Sequence, residues 1–522
     1  MEPIASPTSS ISPMPEPSTL CVTIGRGRHR HLIAEHKHLA EQGCKLVELR
    51  LDFLVTPPNL KRLLAERPCP VIVTCRREQD GGRWAKSEED RLMLLRQAIV
   101  AGVEYVDLEE DIAASIPRFG KTKRIISYHN FQETPEDLNH LHARLSSLNA
   151  DIVKIATMAH SPHDNLRLMR LMRATRVPTV AFCMGEFGQA SRILAGKFGA
   201  PFTYSTFHSE RTMAPGQLSY EQMKETYRYE KIDHNTEVYG VIADPISHSL
   251  SPHLHNAAFD ALGLNKIYVP IRVRPEDLTQ FMHDCRELGI RGISVTIPHK
   301  EEILHHATKF DSATQEIGAC NTLIWEGDDR KGYNTDYRAA MDSLDEMFGG
   351  GERELSGLKG KHALVLGAGG AARAIVVGLH RRGADITIAS RTPERADDLA
   401  TFCHGKSIAW GMRQNVKCDL VVNCTPVGMH PNLDDTPFDQ KYLLPEMVVF
   451  DTVYNPEQTL LIKEAKSRGC PVVTGVEMFV RQAAMQFELF TDQKADVEAM
   501  REILRRALSP VTYKDEDEEE GG

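Results

Sequence analysis

A short β-rich run followed by a longer helical pattern recurs eight times between residues 20 and 207, and this rhythm restricts the fold more than any other feature of the chain. The runs are Leu20–Gly25, Leu46–Asp52, Val71–Cys75, Tyr105–Glu109, Arg124–His129, Ile152–Ala156, Thr179–Met184 and Phe202–Phe207. They are almost continuously apolar, as parallel strands covered by helices must be. Eight alternating units in roughly 200 residues predict a (β/α)8 barrel.

The polar segment Tyr227–Glu237 interrupts the rhythm and reads as a linker. A second α/β region begins at Val238–Ala243, Gly349–Gly351 marks a further boundary, and His362–Leu366 opens a third. Met478–Leu489 has the apolar spacing of a helix. The expected division is a tail over 1–19, a barrel over 20–228, an α/β domain over 236–345, another over 358–475, helices over 476–510 and an acidic tail over 511–522. The net charge of −10, part of it in Asp515–Glu520, argues against a general nucleic-acid role. Eleven scattered cysteines without a CxxC pair indicate neither a zinc ribbon nor a thioredoxin-type motif. The Ser- and Pro-rich first twenty residues lack the apolar core of a secretory signal and the arginines of a transit peptide. A cytoplasmic, monomeric enzyme acting on small molecules is the expectation, with no membrane or nucleic-acid partner.

Barrel chemistry sits at the carboxyl ends of the strands. Those ends carry Glu48, Arg50, Arg76, His129, Lys154 and Met184. Lys154 stands between Val153 and Ile155, where a charged amine is costly; desolvation would favour a neutral, nucleophilic amine able to condense with a ketone. His129, one strand away, suits proton transfer near neutral pH. Arg50, Arg76 and Arg192 point to an anionic substrate. Glu48-Leu-Arg50, Tyr128-His129, Val153-Lys154-Ile155 and Ala214-Pro-Gly-Gln217 together resemble type I 3-dehydroquinate dehydratase over about residues 20–225. The resemblance implies that Lys154 forms an imine with the substrate ketone and that His129 is the general acid/base. It further implies that Thr23, Glu48, Arg50, Arg76, Arg192 and Gln217 contact substrate. Two positions depart from the family pattern. Asp80 stands where a glutamate usually orients the histidine, and Met213 where a small polar residue is common.

Further on, Gly292–Lys300 reads as a strand running into a loop that presents Lys300, and Asn321, Thr322 and Asp336 follow β-like runs. A lysine held by an aspartate can pass a proton to a carbonyl oxygen. Gly367-Ala368-Gly369-Gly370-Ala371-Ala372 follows an apolar strand and opens an apolar helix, the context of a dinucleotide-binding turn. The next strand ends in Ser390-Arg391-Thr392, with Arg395 close behind and no acidic residue for a ribose 2′-hydroxyl, which favours NADP over NAD. With Ser249-Leu-Ser251-Pro252, Val295-Thr296, Asn334-Thr-Asp336, Asn423-Cys-Thr425-Pro426 and Gly475 through Gln482, these pieces resemble shikimate dehydrogenase across about 236–510. The resemblance implies Lys300 and Asp336 as the catalytic pair. It implies substrate contacts from Ser249, Ser251, Thr296, Asn321, Tyr454 and Gln482. Cofactor contacts would come from the glycine turn (Gly367, Ala368, Gly369, Gly370, Ala371), Ser390, Arg391, Thr392, Arg395 and Gly475. The last helix is expected to pack back on the substrate domain.

Together the two resemblances imply a bifunctional enzyme of the shikimate pathway, serving aromatic amino acid biosynthesis. Two alternatives stay open: a preference for quinate, disfavoured by the two serines, and a non-catalytic sensor resembling fungal quinate repressors, disfavoured because Lys154, His129, Lys300 and Asp336 are all present. The histidines His248, His253 and His255 lack a distal ligand motif, and no metal is expected.

Overall fold

A computed structural model describes residues 18–208, 216–246, 249–350 and 356–508. Met213, Ala214, His248 and the acidic run Asp515–Glu520 lie outside the described residues. Two compact units make up the chain: Met1–Glu237 with Val269–Val273 and His283–Leu288, and Val238–Tyr268 with Arg274–Met282 and Gly289–Gly522.

The first unit holds strands β1 (Thr19–Ile24), β2 (Leu46–Arg50), β3 (Val71–Thr74), β4 (Tyr105–Glu109), β5 (Lys123–Asn130), β6 (Ile152–Met158), β7 (Thr179–Met184) and β8 (Phe202–Thr206). All their ladders are parallel, and the sheet runs β7-β6-β5-β4-β3-β2-β1-β8. No ladder joins β7 to β8 among the described residues, so the barrel is nearly closed. The eight expected runs each hold one strand. Leu51 and Asp52 leave the second run for a 3-10 turn, where Asp52 accepts the Arg50 guanidinium and the Arg83 amide.

Side chains alternate across a strand, so one parity on each strand fills the barrel. Near the amino ends this parity is apolar: Cys21, Leu46, Ile72, Tyr105, Ile125, Ile152, Val180 and Phe202 meet in one cluster. Two residues further on, the same parity gives Thr23, Glu48, Thr74, Asp107, Ser127, Lys154, Phe182 and Tyr204. The barrel thus has a dry floor and a polar upper tier facing the carboxyl ends.

Tyr227–Glu237, read as a linker, carries buried residues of its own. Tyr227, Tyr229 and Ile232 are buried. Tyr229 shares a 2.7 Å hydrogen bond with Ser18, Glu230 accepts from Thr19, and Lys197 donates to the carbonyls of His234 and Thr236. The aromatic residues give the segment a packing face that its charged neighbours conceal in the sequence.

Two further sheets follow β8 in the chain. In the first, β9 (Glu237–Ala243), β10 (Lys266–Arg272), β11 (Ile290–Val295), β12 (Lys309–Phe310), β13 (Thr322–Glu326) and β14 (Asp329–Tyr333) take the order β10-β9-β11-β13-β14-β12. In the second, β15 (His362–Leu366), β16 (Asp385–Ser390), β17 (Lys406–Ala409), β18 (Leu420–Asn423), β19 (Val448–Asp451) and β20 (Val472–Val473) take the order β17-β16-β15-β18-β19-β20. That is the doubly wound order of a dinucleotide-binding domain, whose switch point lies between β15 and β18. The helix foreseen at Met478–Leu489 runs from Gly475 to Thr491. Its Val476, Val480, Ala483 and Phe487 share a core with Tyr239, Val241 and Leu254 of the first sheet's region.

Candidate active sites

Thr23, Glu48, Arg50, Arg76, Asp80, His129, Lys154, Arg192 and Gln217 all line one open cavity of about 540 Å³ at the barrel mouth, together with Gly81, Phe131, Ala156, Phe182, Met184 and Tyr204. Lys154 is 4 % exposed. Its Nζ donates to Asp107 Oδ2 at 3.0 Å, lies 3.6 Å from Glu48 Oε1, and sits 4.1 Å from the centre of the Tyr204 ring. Val153 and Ile155, which make the position look apolar in the sequence, have the opposite parity and point away from the amine. The surroundings of Lys154 are therefore carboxylates and an aromatic face, not aliphatic side chains. Glu48 is held by the Thr23 and Thr74 hydroxyls at 2.9 and 2.8 Å.

His129 lies two residues beyond Ser127, which is the cross-strand partner of Lys154. Burial, then the Arg76 and Lys154 charges, hold its imidazole well below the usual 6.5. A neutral imidazole at the rim is able to accept a proton. Asp80 was expected to orient this ring. Instead its carboxylate accepts from Arg77 Nε at 2.6 Å, and Arg77 is also clamped by Asp111.

The three arginines expected to bind an anion differ. Arg50 is paired bidentately with Asp52 at 2.9 and 2.8 Å. Arg76 is paired with Asp107 at 2.8 Å and Glu109 at 3.0 Å. Arg192 has no carboxylate: it is 1 % exposed, its Nε and one Nη lack hydrogen-bond partners among the described residues, and its guanidinium lies 4.2 Å from the Phe182 ring centre. Burial pushes its pKa down to about 10. A buried cation left unpaired is expensive, and an anionic ligand group in the cavity relieves that cost.

In the second unit, the loop after β11 presents Lys300, whose Nζ donates to Asp336 Oδ2 at 2.5 Å. Asn334 caps helix Thr335–Phe348 by accepting from the Tyr337 amide, which puts Asp336 in the first turn of a helix, where a carboxylate is favoured. Asn321 accepts from the Thr335 amide and Thr322 hydroxyl and donates to the Thr335 hydroxyl, each at 2.9 Å. Gln482 is buried and donates to the Phe479 carbonyl at 3.0 Å; Tyr454 stacks on Phe479 at 4.2 Å. Ser249 and Thr296 are partly buried and Ser251 is buried at the start of helix Ser251–Ala261.

The glycine turn closes over the switch point. Gly367 has φ +108, and a Cβ there would lie 3.0 Å from the carbonyl oxygen of Cys424, just beyond β18. Space opens above Gly369, and a Cβ on Gly370, the first residue of helix Gly370–Arg381, would press on the Lys300 side chain at 3.1 Å. The turn therefore borders the Lys300 site directly, with Ala368 and Ala371 completing it. Gly475 lets its helix start against the Val453 carbonyl, 2.2 Å from where a Cβ would sit. At the end of β16, Ser390 accepts from the Thr392 amide, and Arg391 is exposed with no partner among the described residues. Arg395, expected among the cofactor contacts, pairs with Glu301 at 3.3 Å on the surface.

Of the tempting histidines, His255 is fully buried and stacked 4.3 Å from Tyr268, with burial pushing it down to about 3, so it is a core residue. Sequence reasoning missed Asp107, Glu109 and Tyr204 in the barrel. Alternating acids at 107 and 109 inside an apolar run were the available signal. It also missed Gln486, which joins Ser294, Thr322 and the Asn321 carbonyl; a glutamine in a helix gave no signal.

Residues 20–234 match the family described as type I 3-dehydroquinase. Residues 241–323 match the shikimate dehydrogenase substrate binding domain, 351–426 match shikimate/quinate 5-dehydrogenase, and 475–505 match the shikimate 5′-dehydrogenase C-terminal domain. The bifunctional 3-dehydroquinate dehydratase/shikimate dehydrogenase, chloroplastic, of Arabidopsis thaliana is 37% identical over 94% of this chain and 85% of its own length. The shikimate dehydrogenase (NADP(+)) of Methanothermobacter thermautotrophicus is 39% identical over 52% of this chain and 98% of its own. A solved dehydroquinate dehydratase and shikimate dehydrogenase from S. pombe is 26% identical, covers 94% of this chain and 98% of that one, and has a TM-score of 0.40.

Proposed function

This chain belongs to the family of bifunctional 3-dehydroquinate dehydratase/shikimate dehydrogenase enzymes of the shikimate pathway, and from that premise we propose how its residues divide the work. The functional division we propose is a dehydratase over 20–228, a substrate-binding domain over 236–345, a nucleotide-binding domain over 358–475 and closing helices over 476–510.

In the barrel, Lys154 attacks the ketone of 3-dehydroquinate. The observation that carries this reading is a buried lysine and a neutral histidine sharing one cavity with a buried arginine that has no carboxylate partner among the described residues. Arg192 takes the substrate carboxylate, and Glu48, Arg50, Arg76, Thr23 and Gln217 border the ring and its hydroxyls. The imine draws electron density from the adjacent carbon, His129 Nδ1 or Nε2 accepts that carbon's proton, and the same imidazole returns a proton to the departing hydroxyl. Hydrolysis of the imine then frees 3-dehydroshikimate.

In the second unit, the residues fit NADP: a turn without side chains at the switch point, and an exposed Arg391 with Ser390 and Thr392 for the 2′-phosphate. When bound, the cofactor supplies the hydride. Lys300 donates the proton that the carbonyl oxygen needs as it becomes a hydroxyl, and Asp336 holds the lysine in place. Ser249, Ser251, Thr296, Asn321, Tyr454 and Gln482 orient the hydroxyls and carboxylate of the substrate. The product of the first site is the substrate of the second. A monomeric, cytoplasmic protein is the reading proposed here; no helix among the described residues is long and apolar enough to cross a membrane.

The test supplies 3-dehydroquinate and NADPH together. NADPH consumption that begins only with 3-dehydroquinate, and borohydride trapping of the substrate on Lys154 mapped by peptide mass spectrometry, are expected. An adduct on another lysine, or none, overturns the dehydratase assignment. Light scattering and cell fractionation test the oligomeric state and location.

A further inference from the structure

Asp107 lies between the lysine and a run of buried charges. Its Oδ2 accepts from Lys154 at 3.0 Å; its Oδ1 accepts from Ser127 Oγ at 2.6 Å and meets Arg76 at 2.8 Å. Arg76 continues to Glu109, Glu109 to Arg91 at 2.8 Å, and Arg91 to Glu88 at 2.7 Å. Charges of alternating sign therefore run from the barrel centre to the start of helix Glu88–Val100. Lys154, Asp107, Arg76, Glu109 and Arg91 are all buried. Such a ladder fixes each member, because removing one leaves its neighbours as unpaired buried charges.

We propose that Asp107 is a positioning residue for the dehydratase reaction: a permanent counter-ion that holds the Lys154 nitrogen in place and balances its positive charge before and after imine formation. The inference rests on the dehydratase reading above. The overall exchange converts an ammonium and a ketone into an iminium and water. The Nζ–carbon bond forms, the carbon–oxygen bond breaks, and two protons leave with the oxygen. One positive charge stays on the nitrogen throughout, so an anion fixed beside it serves both states. Asp107 is suited to this and not to proton transfer. Burial alone would raise its carboxyl, but Arg76 and then Lys154 outweigh burial and hold it well below the carboxylate range. The mobile proton is left to His129 at the rim. Glu48, 3.6 Å from the nitrogen and bound by two hydroxyls, lines the cavity and does not replace Asp107.

The experiment compares the full-length wild type with Asp107→Asn and Ser127→Ala, trapping the imine from 3-dehydroquinate with borohydride across a pH series. Without the anion the nitrogen holds its proton less tightly. The pH profile of trapping in Asp107→Asn is therefore expected to move at least about one unit to lower pH. Ser127→Ala keeps both charges and removes a donor that weakens the carboxylate, so a smaller shift, to higher pH, is expected. Thermal unfolding and NADP-dependent turnover of shikimate on the same chains report folding. An Asp107→Asn profile that superimposes on the wild type overturns the inference. If Asp107→Asn does not fold, a Ser127→Ala profile unchanged in position does so. A wild type that traps nothing on Lys154 instead overturns the dehydratase reading itself.

Discussion

Lys154 and Lys300 are both lysines beside aspartates, yet the barrel and the second unit build them in opposite ways. Lys154 sits in the middle of a strand, 4 % exposed, with carboxylates at 3.0 and 3.6 Å and a chain of paired charges behind it. Lys300 sits in a loop against one carboxylate at 2.5 Å, its side chain 15 % exposed and flanked by the glycine turn. The difference teaches what each reaction asks. A covalent amine must be fixed in direction and balanced in charge through several states, which calls for a rigid, buried frame. A proton donor must exchange its proton every cycle, which calls for one partner and a path to water.

The sharpest way to break the comparison is to remove each lysine. Lys154→Ala should lower dehydratase turnover by on the order of 10⁴ or more and abolish the borohydride adduct. Shikimate oxidation by the same chain should stay unchanged, and a residual adduct would break the assignment. Lys300→Met should lower dehydrogenase kcat by about 10²–10⁴ with a small change in KM, leaving dehydratase intact. A loss confined to KM would instead make Lys300 a binding group.

Arg192 sharpens the contrast between paired and unpaired cations. Arg192→Met should raise the KM for 3-dehydroquinate by about 10–100-fold, the worth of a charge-assisted hydrogen bond. It should leave the melting temperature unchanged or higher, because burial depresses the folded-state pKa of this group to about 10 and so disfavours its charged form. A fall in melting temperature would mean that the arginine is paired in solution.

His129 makes a pH prediction. Its pKa is depressed in the folded state, so the unfolded chain binds the proton first. Stability is unaffected above about pH 6.5 and declines as pH falls below that value towards the folded-state pKa. The acid limb of dehydratase kcat/KM should likewise lie below the ordinary imidazole range. A limb near 6.5 or above would contradict a neutral histidine. The smallest effect belongs to the surface: Glu301→Ala, which frees Arg395, should change the NADPH KM by no more than about fivefold.

Much of this was legible in the chain. The eight runs, the dinucleotide turn and the terminal helix are local patterns of hydrophobicity and glycine, and each formed where its pattern stands. Lys154, His129 and Lys300 stood out because they lie in or just after apolar strands, and Arg192 and Asp336 because they accompany them in the family motifs. The burial of Tyr227–Glu237 was not, since its tyrosines pack on residues some 200 positions earlier in the chain, such as Ser18. Nor was the engagement of Asp80 by Arg77, because the reach of one methylene is decided by where the neighbouring loop lies.

The sequence by itself determined the parity of every barrel strand, and with it which side chains enter the barrel. Only the tertiary structure decided their partners. Asp107 stands 47 residues from Lys154, and the two meet because β4 and β6 both flank β5 in a fixed register. Electrostatic energy depends on distance and on burial, and neither is a local property of the chain. An amine that reads as surrounded by aliphatic side chains was therefore placed among carboxylates.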